Sequence, residues 1–127
     1  MTHEQLQDWL DRYIAAWAAH ERAPIEGLFT ADAIYRWRPY GGDHHAAHGS
    51  DAIVSGWLDE DDPPGSWEAH YEPFAIDRDR AVAVGWSRYL ARGEELERTF
   101  HNVFLMRFAA DGRCREFTEL YMQEGAT

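Results

Sequence analysis

The chain has 127 residues, a formal net charge of −11 and 45% hydrophobic residues, with six each of Trp, Tyr and Phe. That length fits one domain over 1–127 with a core of its own, and the acidity excludes a nucleic-acid partner, which needs basic surface against phosphate. All twelve basic residues are Arg and there is one cysteine, Cys114, which excludes lysine Schiff-base chemistry, a P-loop lysine, an internal disulfide and a cysteine-rich zinc site.

The opening stretch, MTHEQLQDWLDRY, is acidic and amphipathic, unlike a signal peptide. No apolar run approaches the roughly 18 residues of a membrane span, so no membrane partner and a cytoplasmic location are expected. Leu6, Trp9, Leu10, Tyr13, Ile14 and Trp17 fall at i, i+3, i+4, i+7, i+8 and i+11, one apolar stripe at helical period. Thr2 with Gln5 resembles a capping box that opens this helix. Pro24 suits the first turn of a short second helix carrying Ile25, Leu28 and Phe29.

A short strand over Ala33–Arg38 follows, and Pro39, Gly41 and Gly42 cannot continue it. Gly49, Ser50 and Asp51 are set to cap a third helix with Ile53, Val54, Trp57 and Leu58 on one side. The run Asp59–Ser66 reads as a solvated acidic loop. Four strands complete the chain, over Trp67–Ile76, Arg80–Ala91, Glu97–Phe108 and Arg113–Gln123. Their short links make them antiparallel neighbours, and helices gathered at the front should pack on one sheet face. Cys114 reads as a small strand residue.

Three segments, RYIAAW…IEGLFTADAIYRW (Arg12–Trp37), HGSDAIVSGW (His48–Trp57) and NVFLMRFAADGRCREFTELYM (Asn102–Met122), resemble the nuclear-transport-factor-2-like superfamily and, within it, the SnoaL-like domains. The resemblance spans nearly the whole chain. It implies a cone-shaped α+β domain of order α-α-β-α-β-β-β-β, with three helices packed on a curved antiparallel or mixed sheet. It further implies an apolar small-molecule ligand, no cofactor, and a homodimer through the outer sheet face.

Against the ketosteroid isomerases of that superfamily, the catalytic tyrosine falls on Tyr13, the aspartate base on Trp37 and the second oxyanion donor on Phe104. Two of three parts are missing, so the resemblance does not carry that mechanism. It does imply inward faces, which period alone leaves open when both faces are apolar. Tyr35 and Trp37 would point in from the first strand, and Val84, Trp86 and Arg88 from the third. Asn102, Phe104, Met106 and Phe108 would follow on the fourth, and Phe117, Glu119 and Tyr121 on the last. Tyr13 and Trp17 would close the pocket from the first helix. The second strand is open: either Trp67, Ala69 and Tyr71 face inward, or Glu68, His70 and Glu72 do.

Glu119 aligns with the acidic residue that SnoaL-type cyclases carry on their last strand. A carboxylate among rings is desolvated, which raises its pKa toward a general base's range; the alternative is an ion pair with Arg88, which would lower it. Tyr13 is a candidate to polarise a carbonyl, or else a core tyrosine with a satisfied hydroxyl. Asn102 would orient a ligand or bond within the protein. His70 is a candidate base if its face looks inward.

Tyr35, Trp37, Trp57, Trp86, Phe104 and Tyr121 would be core and pocket wall together. His44, His45 and His48 share a glycine-rich loop that reads as solvated, with no metal site expected. His101 should lie on the outer face. Three functions fit: cofactor-free isomerisation, cyclisation or hydration of an apolar carbonyl compound; binding of a hydrophobic ligand without turnover; or a structural dimeric module.

Overall fold

A computed structural model describes residues 1–125. Helix α1 runs over His3–Ala19, and its N-terminus carries the reciprocal capping box: Thr2 Oγ1 accepts from the Gln5 amide, and Gln5 Oε1 accepts from the Thr2 amide. Its apolar stripe buries Leu6, Trp9, Leu10 and Tyr13, and the left-handed His20 ends it.

Helix α2 is shorter than the sequence suggests, Arg22–Glu26. Leu28 and Phe29 leave it because the Leu28 carbonyl accepts from both the Cys114 amide (2.9 Å) and Trp9 Nε1 (3.1 Å). Those bonds pull the chain into strand β1, Phe29–Arg36. A 3₁₀ turn over Gly42–His45 leads to β2, Ala46–His48. At three residues, β2 is too short for any alternation to announce it. Helix α3 covers Ser50–Asp59 and starts at Gly49, whose φ of 88° suits glycine and which offers no side-chain cap. Strands β3 (Trp67–Asp77), β4 (Arg80–Tyr89), β5 (Arg98–Phe108) and β6 (Cys114–Gln123) finish the fold.

The strands form one six-stranded mixed sheet in the order β2-β1-β6-β5-β4-β3, antiparallel except where β1 lies parallel to β6. The helices cover one face of this curved sheet, the cone-shaped α+β arrangement expected from the sequence. Between α1 and the sheet, Trp9 meets Phe29 and Phe108 edge-on, and Tyr13 stacks on Phe117 at 5.7 Å. Ring pairs of this kind add to the area they bury. No described helix is long and apolar enough to cross a membrane.

The register settles the strand faces. Tyr71 pairs with Gly85, Gly85 with Asn102 and Asn102 with Tyr121, all looking toward the helices. On β3 the inward set is therefore Trp67, Ala69 and Tyr71. On β4 the inward set is Ala81, Ala83, Gly85 and Ser87, one residue out of step with the expected Val84, Trp86 and Arg88. The cause is space. A Cβ at Gly85 would meet the His70 carbonyl and would lie 2.6 Å from the Tyr71 ring. Only the small residues of β4 leave room for the rings of Tyr71, Phe104 and Tyr13.

Candidate functional site

Beside this core a cavity of about 580 Å³ opens between α1, α3 and the inner sheet face. Helix α1 supplies Tyr13 and Trp17, α3 supplies Ile53 and Trp57, and β1 supplies Tyr35. From the sheet come Tyr71, Ser87, Tyr89, Asn102 and Glu119, with Phe100 and Arg98 at the start of β5. Trp37 (38% exposed) and Tyr121 (45% exposed) border the mouth.

Glu119 is the centre of the site's polar network. Its Oε2 accepts from the Tyr35 hydroxyl at 3.4 Å, and that phenol lies 3.4 Å from the Tyr13 hydroxyl. Its Oε1 accepts from Asn102 Nδ2 at 3.2 Å. Asn102 Oδ1 accepts from Ser87 Oγ at 3.1 Å. Two chains of neutral donors thus converge on the two oxygens of one carboxylate. Among the described residues no cation pairs with it.

Burial therefore pushes the Glu119 carboxyl from its ordinary 4.5 up to about 7, and the charge of Glu60 adds to the effect. The bonds from Tyr35 and Asn102 pull the other way without reversing it. Tyr13 and Tyr35 are held well above the usual tyrosine value, mainly by burial, so both stay protonated and able to donate.

Several sequence candidates lie elsewhere. Arg88 does not reach Glu119. It points to the outer sheet face, donates to Glu68 Oε1 at 2.8 Å and lies 5.0 Å from the centroid of Trp86. Trp86 and His70 share that face, with their rings 6.4 Å apart. Trp86 expected in the pocket wall, Arg88 expected inward beside Glu119 and His70 as an inward candidate base are corrected on this ground: the register turns all three away from the cavity. Phe104 does face inward, but it is buried beneath Tyr71 and Tyr13 as floor of the core and does not line the cavity. His48 Nε2 sits 2.7 Å from Asp43 Oδ1 on the surface, and no group of His, Cys, Asp or Glu among the described residues is arranged to hold a metal. His101 is on the outer face beside Glu124.

The acidic loop is more than a solvated connection. Asp62 Oδ2 accepts from Trp17 Nε1 at 3.1 Å, and the Asp62 carbonyl accepts from Trp67 Nε1 at 3.2 Å. This holds the two indoles face to face, centroids 3.6 Å apart at an angle of 11°. Glu60 and Asp62 line the cavity as a result. The sequence reading also missed Ser87 and Tyr89, both consequences of the β4 face. A signal for them existed: Ala81, Ala83, Gly85 and Ser87 are the small residues at alternate positions, and a strand that makes space for a cavity shows it that way.

A cone of helices and curved sheet around a ring-lined cavity defines the nuclear-transport-factor-2-like class. The model of the SnoaL-like domain matches residues 10–117, and the chain belongs to that family. Solved structures agree on the fold. An NTF-2 like protein of unknown function from Burkholderia xenovorans LB400 superposes with a TM-score of 0.70 at 16% identity, over 98% of this chain and 88% of that one. An NTF2-like protein of unknown function from Mesorhizobium loti gives 0.66 at 23%, over 94% and 93%. A Bacillus subtilis protein provisionally named an isomerase gives 0.72 at 15%, over 96% and 90%. No curated protein matches the chain.

Proposed function

We propose that the protein is a cofactor-free acid–base enzyme of the isomerase or cyclase kind, acting on an apolar carbonyl compound held in the cavity. The observation that carries this reading is Glu119: a carboxylate on the wall of a ring-lined cavity, held by neutral donors and poised at about 7. A base with that value is half deprotonated near neutral pH, where proton transfer in both directions is useful.

In the reaction, Glu119 removes a proton from the carbon next to the carbonyl, and the C–H electron pair moves into the enolate. The phenol of Tyr13 donates to the enolate oxygen, the kind of fixed donor that stabilises developing charge, while Tyr35 keeps its bond to Glu119. Protonated Glu119 then returns its proton to a different carbon. Atoms and charge balance with no added reagent. The provisional isomerase from Bacillus subtilis is consistent with this reading through its fold alone.

A second reading, ligand binding without turnover, is favoured by one observation: Asn102 and Tyr35 are both satisfied within the protein. The two are separated by incubating the protein with a panel of cyclic enones in deuterated buffer and following α-proton exchange by NMR. Exchange by the wild type that disappears in Glu119→Gln supports the enzyme. Binding without exchange in any member of the panel supports the carrier.

We extend the proposal to a homodimer through the outer sheet face, where Leu105 and Met122 are exposed. Sedimentation at micromolar concentration should show the dimer, and a monomer would remove it.

A further inference from the structure

The cavity wall carries more negative than positive charge. Glu119 contributes from the sheet, and Glu60 and Asp62 from the end of α3 and the loop after it. The one cation among the lining residues is Arg98, and it is already engaged: Nη1 lies 3.2 Å from Glu95 Oε2, and the guanidinium lies 5.0 Å from the Tyr89 centroid. Asp62 rests against the Trp17 and Trp67 indoles, while Glu60 makes no side-chain hydrogen bond or ion pair with any described residue. The three carboxylates share one field. Asp62, Glu119 and Glu60 together add to the upward push that burial gives Tyr89, and Glu60 acts in the same sense on Glu119.

Among the described residues no cation pairs with Glu60, which is exposed, or with Asp62, which is half-buried, and the same wall presents the rings of Trp17, Trp57, Tyr89 and Phe100. An organic cation answers both features. It supplies the missing charge, and an ammonium against aromatic faces gains from their quadrupoles. An anionic ligand would instead meet Glu60 and Asp62, and Glu119 where that group is ionised.

We propose that the cavity selects an apolar molecule bearing a protonated amine, with the ammonium between Glu60, Asp62 and the rings of Trp17 and Tyr89, and the apolar body running toward Glu119. This rests on the reading of the cavity as a ligand site and narrows the class of ligand. Glu60 and Asp62 are then specificity residues, while Glu119 keeps its chemistry for the other end of the molecule.

The test uses three probes of similar shape, phenyltrimethylammonium, tert-butylbenzene and benzoate, titrated against the whole chain and read by tryptophan fluorescence. The ammonium should bind at least about tenfold tighter than its neutral isostere, benzoate should bind weakest, and added salt should weaken the ammonium alone. In the double variant Glu60→Gln, Asp62→Asn the preference for the ammonium should vanish. Tighter or equal binding of tert-butylbenzene would overturn the charge preference while leaving the cavity as a ligand site. Binding of neither would overturn both. If the double variant does not fold, as judged by circular dichroism, insensitivity of the wild type to salt would overturn the placement.

Discussion

The Tyr35 hydroxyl donates to Glu119 Oε2 across 3.4 Å, so a phenol on β1 fixes the carboxylate of the parallel neighbour β6. Tyr35 itself is held by stacking on Phe117 at 4.7 Å and by the nearby Tyr13 hydroxyl. The position of the one candidate base is therefore set by rings on three different elements.

Glu119 should titrate near 7 by carbon-detected NMR. Because its folded value lies above its ordinary 4.5, the folded state holds the proton more tightly than the unfolded one. The associated stability is fully present below 4.5 and is lost as pH rises through 7. The loss is about 3 kcal/mol at most, and smaller to the extent that the cavity admits water. Glu119→Gln should remove this slope and be more stable than wild type at pH ~8 by about 1–3 kcal/mol. Urea unfolding of both proteins at acidic and alkaline pH checks the sign; a stability difference between wild type and Glu119→Gln that does not shift toward the variant as pH rises would contradict it.

Tyr35→Phe removes one of the two donors to the Glu119 carboxylate and leaves the Tyr13 hydroxyl without its partner. Bonds to the charged form favour it, so the Glu119 midpoint should move up from about 7. Folding should cost about 1–2 kcal/mol. Paired NMR and denaturant titrations measure both. An unchanged midpoint would mean that the 3.4 Å contact carries no weight in solution.

Gly85→Ala is expected to be harmful although the added group is a single methyl. Its Cβ would meet the His70 carbonyl and lie 2.8 Å from the Tyr71 Cα, so β3 and β4 must separate. Strain of this type costs about 1–3 kcal/mol, visible as a lowered thermal midpoint. Alanine at the outward neighbour Val84 removes methyl groups but forces no backbone apart, which makes it a useful control.

Arg88→Ala should change stability by less than about 1 kcal/mol, since its pair with Glu68 is partly solvated. The Glu119 midpoint should not move. A downward or upward change of that midpoint would place Arg88 near the cavity after all.

The sequence made the helices legible because a single buried stripe at helical period leaves little choice for Leu6, Trp9, Leu10 and Tyr13. The sheet was harder for a definite reason. On β4, Val84 and Trp86 are the larger apolar groups, yet they face outward, because the volume under α1 is already filled by Tyr13, Tyr71 and Phe104. Which face of a strand is inside is decided by what the opposing elements bring, and strand alternation records only that two faces exist. The same holds for Glu60 and Asp62. An acidic run signals solvent, and only the bonds from Trp17 and Trp67 to Asp62 fold that run back over the cavity.

The placement of β6 between β1 and β5 has a consequence for how the molecule is made. The strand that carries Glu119 is the final strand of the described chain, yet it occupies an interior position in the sheet. Until it arrives, β1 has no partner on that side, β5 has an open edge, and the rings on α1 lack Phe117 to rest on. The β1–β6 pairing thus joins strands far apart along the chain, an arrangement that slows closure and leaves sticky surface exposed meanwhile. A nascent chain should keep β1 and the rings of α1 uncovered until β6 has been made.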